Sequence, residues 1–367
     1  MAQKKPPKKT TKNQHFVPKV YLKRWAIDGT ENQVFRYEKC NLSNGEQRNV
    51  TSILYGRNIY TVTFQDYYAL DFMPKIKRDF AKQLDKILDR YDAVVYYDDK
   101  KLKNAYKALS FIGSVDEWDF RLKSNRKLPA SKRGIVENIK QIRSYVIEDA
   151  LDNIIEKNWN SVLDVFLQSL TERKKLLQRN LGIPMEPQLV QDLILTMLIF
   201  MCRTPTFDCL GVFPKVKTIA QAIAKDANMD DDFVDRCMRN EQISQLYKAI
   251  FSGNAGNVGF LASFMPRIIE RCRIIVFHCD EQEGSFITSD NPSFSYVSPM
   301  TFLNYNGIYL PLTPQYLLCL GQRSQDSIYN VDYREIQNNT VRKINAVIRS
   351  SASQYIVSNQ KLPGIIL

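Results

Sequence analysis

The sequence contains two histidines, His15 and His278, the side-chain type whose ordinary titration range lies near neutral pH. A mechanism that moves a proton at pH 7 therefore has few candidates for its acid or base. His278 falls within the apolar run Ile274 to Cys279, where a partly buried, hydrogen-bonded ring is expected. His15 stands in a polar loop, His15-Phe16-Val17-Pro18, at the entry to a helix. A ring there either packs on the helix start or points into a cleft. It is the leading candidate for general acid or base.

Asp290 is the candidate partner, within Thr288-Ser289-Asp290-Asn291-Pro292. Asx and Ser/Thr side chains before a proline commonly fold back on their own backbone and end a strand. Pro292 pushes Asn291 toward an extended conformation, which leaves the Asp290 carboxylate free to orient another group. A carboxylate that fixes a histidine tautomer is a recurrent catalytic arrangement. Arg203 closes the apolar helix Gln188 to Cys202, where a guanidinium either serves the helix C-terminus or makes a bidentate contact to a phosphate or oxyanion. His15, Asp290 and Arg203 are thus the candidate catalytic residues. Tyr21, Ser289, Asn291 and Lys19 are the candidate binding residues beside them.

The sequence has no glycine-rich phosphate loop, no G-x-S-x-G elbow, no H-E-x-x-H and no paired-carboxylate nuclease signature. Its seven cysteines are scattered without a C-x-x-C pair, and Cys272, His278 and Cys279 alone make an incomplete ligand set. No cofactor and no metal are expected. A metal-assisted variant would add Asp280 or Glu283 to His15 and Asp290.

The elements that must position these residues follow from periodicity. Val17, Val20, Tyr21 and Trp25 give a short helix opened by Pro18. Val34 to Tyr37 and Asn58 to Val62 look like strands near turn formers such as Asn44-Gly45. From Pro74 to Arg271 the period is helical, with runs at Ile76 to Tyr91, Ile135 to Asn180, Gln188 to Arg203 and Phe233 to Phe251. Breaks fall at Lys127-Leu128-Pro129, Gly182-Ile183-Pro184 and Ser252-Gly253-Asn254. Strands return as Arg273 to Cys279 and Ser285 to Thr288, read as a hairpin, then Ile308 to Leu312 and Tyr316 to Leu320. A helix over Tyr333 to Ser350 and a strand at Tyr355 to Val357 follow. The expected fold is α+β, one mixed sheet built from N- and C-terminal strands around a large central helical insertion. In domain terms, residues 1–12 form a disordered basic arm and 13–367 a single composite domain. Its sheet-forming parts are 13–73 and 272–367, and its helical part is 74–271.

His15-Phe16-Val17-Pro18 followed by Tyr21-Leu22, and then Thr288 to Pro292, resemble the HYVP and TSDNP motifs that define a widespread, mainly bacterial domain-of-unknown-function family. Arg203-Thr204-Pro205 after an apolar helix and Leu310-Pro311-Leu312-Thr313-Pro314 also resemble that family, so the likeness spans most of the chain. Phe16 stands where the family usually has tyrosine, which keeps a ring and removes a hydroxyl. The resemblance implies that the two motifs form one unit and carries no established activity.

Charge narrows the partners. The chain has a net charge of +12, five of it from lysines in its first twelve residues, and this balance suits attraction to phosphate. RNA or another nucleic acid is the expected partner. No secretory signal is present and the greasiest stretch, Leu193 to Cys202, is too short to cross a bilayer, so a cytoplasmic protein without a membrane partner is expected. The functional expectation is a metal-independent, RNase-like nuclease, a toxin or anti-phage defence effector. In it His15 acts as acid or base, Asp290 orients it and Arg203 stabilises phosphate charge. The alternative is a non-enzymatic nucleic-acid-binding or sensor module in which both motifs are structural.

Overall fold

The structure is a computed structural model, and it describes residues 13–124, 131–174, 182–204, 213–227, 231–251, 260–281, 284–296, 307–322 and 327–362. The basic arm, the breaks expected at Lys127-Leu128-Pro129 and Ser252-Gly253-Asn254, Pro205 and Glu283 lie outside the described residues. The chain divides into two compact units, and its class is α+β.

Both motifs belong to the unit made of Asn13–Arg57, Leu151–Phe207 and Phe251–Leu367. Where one sheet is expected, its strands form two larger sheets besides the pair β1 (Asn13–His15) and β4 (Tyr55–Arg57). The larger is six-stranded, in the order β10 (Ile183–Pro184), β16 (Asn330–Glu335), β11 (Cys272–His278), β15 (Tyr316–Gln322), β14 (Gly307–Pro311) and β13 (Phe294–Tyr296). It is mixed, because β11 runs parallel to β16 and antiparallel to β15. The smaller is four-stranded and antiparallel, in the order β12 (Thr288–Ser289), β17 (Tyr355–Ser358), β2 (Gln33–Glu38) and β3 (Asn41–Asn49). N- and C-terminal strands join in this second sheet, where β17 pairs with β2.

Helix α11 (Asn338–Ser351) joins the two sheets through one core. Its Val341, Ile344, Val347 and Ile348 meet Ile275, Phe277, Leu317 and Cys319 of the larger sheet and Tyr37 and Ile356 of the smaller. Each fully buried aliphatic side chain here contributes roughly 1.5–3 kcal/mol. Ile274, Ile275, Val276 and Phe277 are all buried, so β11 is covered on both faces and reads as an unbroken apolar run.

The hairpin expected between Arg273–Cys279 and Ser285–Thr288 does not form. A strand buried on both faces takes partners on both edges, and β11 finds them in β15 and β16. After Gly284, whose φ of 113° suits glycine, the chain leaves for the smaller sheet and Thr288 pairs with Val357. The helix expected from Tyr333 begins only at Asn338, because Asn330–Glu335 is drawn into the sheet beside β11. This unit also holds β1 (Asn13–His15), α1 (Lys19–Leu22), β4 (Tyr55–Arg57), α6 (Trp159–Lys174), α7 (Pro187–Arg203) and α10 (Phe260–Arg271). Among the described residues no helix is long and apolar enough to cross a membrane.

The other unit comprises Asn58–Ala150 and Asp208–Ile250. Its longest described helices are α2 (Pro74–Arg90), which buries Ile76, Phe80, Leu84 and Leu88 on one stripe, and α9 (Asp231–Phe251). Around them lie α3 (Ala105–Ala108), α4 (Lys132–Lys140), α5 (Val146–Leu151), α8 (Phe213–Asp226) and the paired β5 (Val62–Thr63) and β9 (Arg143–Ser144). A small antiparallel sheet, β7 (Lys100–Lys101), β6 (Ala93–Tyr97) and β8 (Asp119–Leu122), stands in a stretch expected to be nearly all helical. Its tight turn is made by Asp98 and Asp99, both left-handed at φ of 48° and 57°.

Candidate functional site

The first motif is built on an edge-to-edge pairing of two short strands. β1 pairs antiparallel with β4, placing His15 opposite Tyr55, and the Phe16 N–H donates to the Leu54 carbonyl at 3.1 Å. Pro18 then sets the chain into α1, whose Tyr21 and Leu22 N–H groups donate to the Pro18 carbonyl. The His15 ring is 9% exposed and tilts against Tyr55 at 5.6 Å. Burial, followed by the charges of Lys19 and Arg203, lowers its pKa to about 4, against hydrogen bonds to the Ile53 and Thr51 main chain that favour the charged form. The ring is therefore neutral at pH 7, and its Nδ1 makes no hydrogen bond among the described residues.

Arg203, 4% exposed at the end of α7, donates from Nε and Nη2 to the His15 carbonyl at 3.1 and 2.7 Å. Its Nη2 is 3.6 Å from Glu156 Oε1. Arg203 thus meets His15 through the main chain and fixes the end of β1. Glu156 closes a π-helical stretch, Asp152–Glu156, and burial raises its pKa despite the charges of Arg203 and Lys19. Lys19 is exposed, with its charge felt at both His15 and Glu156.

The second motif is spent on the connection between α11 and β17. The Asp290 carboxylate accepts three successive main-chain N–H groups, Ser353 at 2.8 Å, Gln354 at 2.6 Å and Tyr355 at 2.9 Å. Its own N–H donates to the Tyr355 carbonyl at 3.0 Å. Ser289 Oγ accepts from the Asn291 N–H, and Asn291 Nδ2 donates to the Ser351 carbonyl. The expected fold-back of the motif on its own backbone is present in that Ser289 bond.

The two motifs meet, though through other atoms than His15 and Asp290. The Tyr21 hydroxyl donates to the Pro311 carbonyl at 2.8 Å and accepts from Thr288 Oγ1 at 2.7 Å. Tyr21 is fully buried among Trp25, Trp159 and Phe200, and that burial holds its hydroxyl well above the ordinary pKa. Trp25 adds a bond from Nε1 to the Phe286 carbonyl at 3.1 Å. No hydrogen bond joins His15 to Asp290 among the described residues.

Both motifs border one cleft of about 570 Å³, lined by Phe16, Arg36, residues 52–55, Asp290 and residues 353–355. His15 bonds the main chain of one wall, and Asp290 bonds that of the other. Between them Arg36 pairs with Glu46 at 2.8 Å and lies over the Tyr355 ring, 4.8 Å from its centroid. Leu54, in the first wall, is left-handed at φ 51°, a conformation costly for a branched side chain. Sequence reasoning passed over Arg36, Tyr55 and Tyr355 because they sit in ordinary strand patterns. Only the folded register brings them to the cleft.

His278 stacks on Tyr333 and tilts against Tyr316 within the larger sheet, half-buried as expected. Cys279 and Cys319 have thiols pushed up to about 12 by burial.

These features define an α+β protein in which two motifs from opposite ends of the chain are stapled by a buried tyrosine and border a shared cleft. The chain belongs to the family described as "Protein of unknown function (DUF4238)", whose model matches residues 13–362. No curated protein and no solved structure matches it.

Proposed function

We propose that the chain is a non-enzymatic nucleic-acid-binding or sensor module, acting in the cytoplasm, in which the HFVP and TSDNP motifs build and hold the binding cleft. The observation that carries this reading is the use of Asp290. A carboxylate already accepting three main-chain N–H groups is a structural brace. Arg203 supports it in the same way, since its guanidinium grips a backbone carbonyl. The net charge of +12 suits an anionic polymer as ligand.

The test is Asp290→Ala against wild type, with thermal unfolding and binding to labelled RNA and DNA followed together. Loss of stability with a parallel loss of binding, and no turnover by either protein, is expected. Retained stability with lost cellular activity would overturn the reading.

A second reading, the RNase-like toxin or defence effector, is favoured by one observation, the Nδ1 of His15 without a hydrogen-bond partner near Lys19 and Arg203. It requires wild-type cleavage of some member of an RNA and DNA panel that His15→Ala abolishes. Equal cleavage by the two proteins, or none by wild type, removes it.

A further inference from the structure

The cleft offers more than phosphate attraction. Its walls present Phe16, Tyr55 and Tyr355, three aromatic rings, together with one guanidinium and one carboxylate. Tyr55 is 39% exposed, a large apolar ring left open to solvent at a cleft wall. Arg36 is held by two neighbours, Glu46 at 2.8 Å and the Tyr355 ring, whose centroid is 4.8 Å from the guanidinium carbon. A guanidinium has five N–H groups, so the Glu46 bond leaves others for a planar acceptor.

Asp290 supplies the complementary chemistry. Its Oδ2 accepts two N–H groups and its Oδ1 accepts one, at 2.8 Å from Ser353. An ionised carboxylate has about four lone-pair sites, so Oδ1 retains an acceptor. One cleft therefore combines aromatic surfaces, a braced guanidinium donor and an acceptor. Guanine matches this set, carrying the N7 and O6 acceptors that arginine recognises and an N2 amino donor. The volume of about 570 Å³ falls in the range of sites for small ligands and is too small for a duplex, so the base must be unpaired. Strain at Leu54 places a sparsely populated backbone conformation in the same wall, where such outliers cluster at ligand clamps.

We propose that this cleft takes one unpaired guanine base, stacked on Tyr55, with Arg36, braced over the Tyr355 ring, donating to its acceptor edge and Asp290 Oδ1 accepting from its amino edge. The proposal rests on the binding reading above and deepens it. The base has two possible sources, a free guanine mononucleotide or a guanosine within a single strand.

Fluorescence anisotropy of the full chain at fixed salt tests it with four probes. These are a labelled uridine oligonucleotide carrying one central guanosine, its all-uridine counterpart, the guanosine strand annealed to its complement, and unlabelled guanosine monophosphate as competitor. An arginine contact to the guanine edge discriminates by about 1–3 kcal/mol, so a preference of roughly tenfold is expected for the guanosine strand over the all-uridine strand, and likewise over the duplex, whose bases are paired. Tyr55→Ala and, separately, Arg36→Gln are expected to reduce that preference to about one, with the unfolding midpoint of Arg36→Gln unchanged. Competition by the mononucleotide assigns the free nucleotide as source, and a preference that survives excess mononucleotide assigns the strand. Equal binding of all strands, or a preference unchanged in Arg36→Gln, overturns the guanine cleft while leaving nucleic-acid binding in place. No binding of any probe overturns both.

Discussion

Three main-chain N–H groups converging on one carboxylate make Asp290 more costly to alter than its place in a turn suggests. Asp290→Asn keeps the shape but replaces one acceptor oxygen with a donor aimed at an N–H, and it removes the charge that strengthens the remaining bonds. A loss of about 2–3 kcal/mol is expected, read as a lower urea midpoint at unchanged m. His15 carries a second prediction, of pH dependence. Its pKa is about 4 in the folded chain and near 6.5 when unfolded, so the unfolded state binds the proton first as pH falls. The stability that neutral His15 permits is complete above about pH 6.5, is lost as pH falls toward 4, and changes no further below. The loss between pH 7 and pH 5 is about 1–2 kcal/mol, allowing for screening at the ring's open edge. Glu156 works in the opposite sense, because its raised pKa makes the folded state hold the proton longer. Urea titrations of wild type and His15→Gln at the two pH values isolate the histidine. Equal pH dependence in both proteins would count against a buried neutral ring.

At the scale of elements, Asn44-Gly45 separates local from tertiary information. The pair reads as a hairpin turn, yet the turn between β2 and β3 falls at residues 39–40 and Gly45 lies within β3. The glycine is required by a close approach, since a Cβ there would stand 2.3 Å from the buried Tyr37 ring. That ring cannot readily yield, because it packs in the core and its hydroxyl accepts from the Leu362 N–H at 2.8 Å. Gly45→Ala is therefore expected to cost about 1–3 kcal/mol, with thermal unfolding as the measure and Asn44→Ala as the near-neutral control. The same contrast explains what was legible. The β11 strand and the later part of α11 follow from apolar runs and helical spacing, because their burial is written in their own side chains. β16 is not legible, since its alternation is mostly polar and its parallel partner is distant in sequence. The site divides likewise: both motifs are visible as side-chain patterns, but Asp290 spends its carboxylate on backbone N–H groups of residues 353–355, which have no sequence signature. The bond that joins the motifs falls to Tyr21 and Thr288, a helix residue and a strand residue with no local sign of a long-range partner.

For the whole molecule, the long-range field and the cleft make separable contributions to binding an anionic strand. Five of the twelve net positive charges come from Lys4, Lys5, Lys8, Lys9 and Lys12. Counterion release by lysines acts on any phosphate backbone, whereas stacking and base-edge hydrogen bonds act on one base. Changing those five lysines to glutamine is therefore expected to lower affinity for guanosine-containing and all-uridine strands alike. It should also flatten the dependence of log affinity on log salt by up to about 3–4, at roughly 0.7 for each single-strand phosphate that is no longer neutralised. The ratio between the two strands should stay near its wild-type value, because the base contacts are assigned to Tyr55, Arg36 and Asp290. Anisotropy titrations across a salt series measure slope and ratio in one experiment. An unchanged slope would remove the arm from binding, and a collapsed ratio would mean that the apparent base preference came from the charged segment rather than from Tyr55, Arg36 and Asp290.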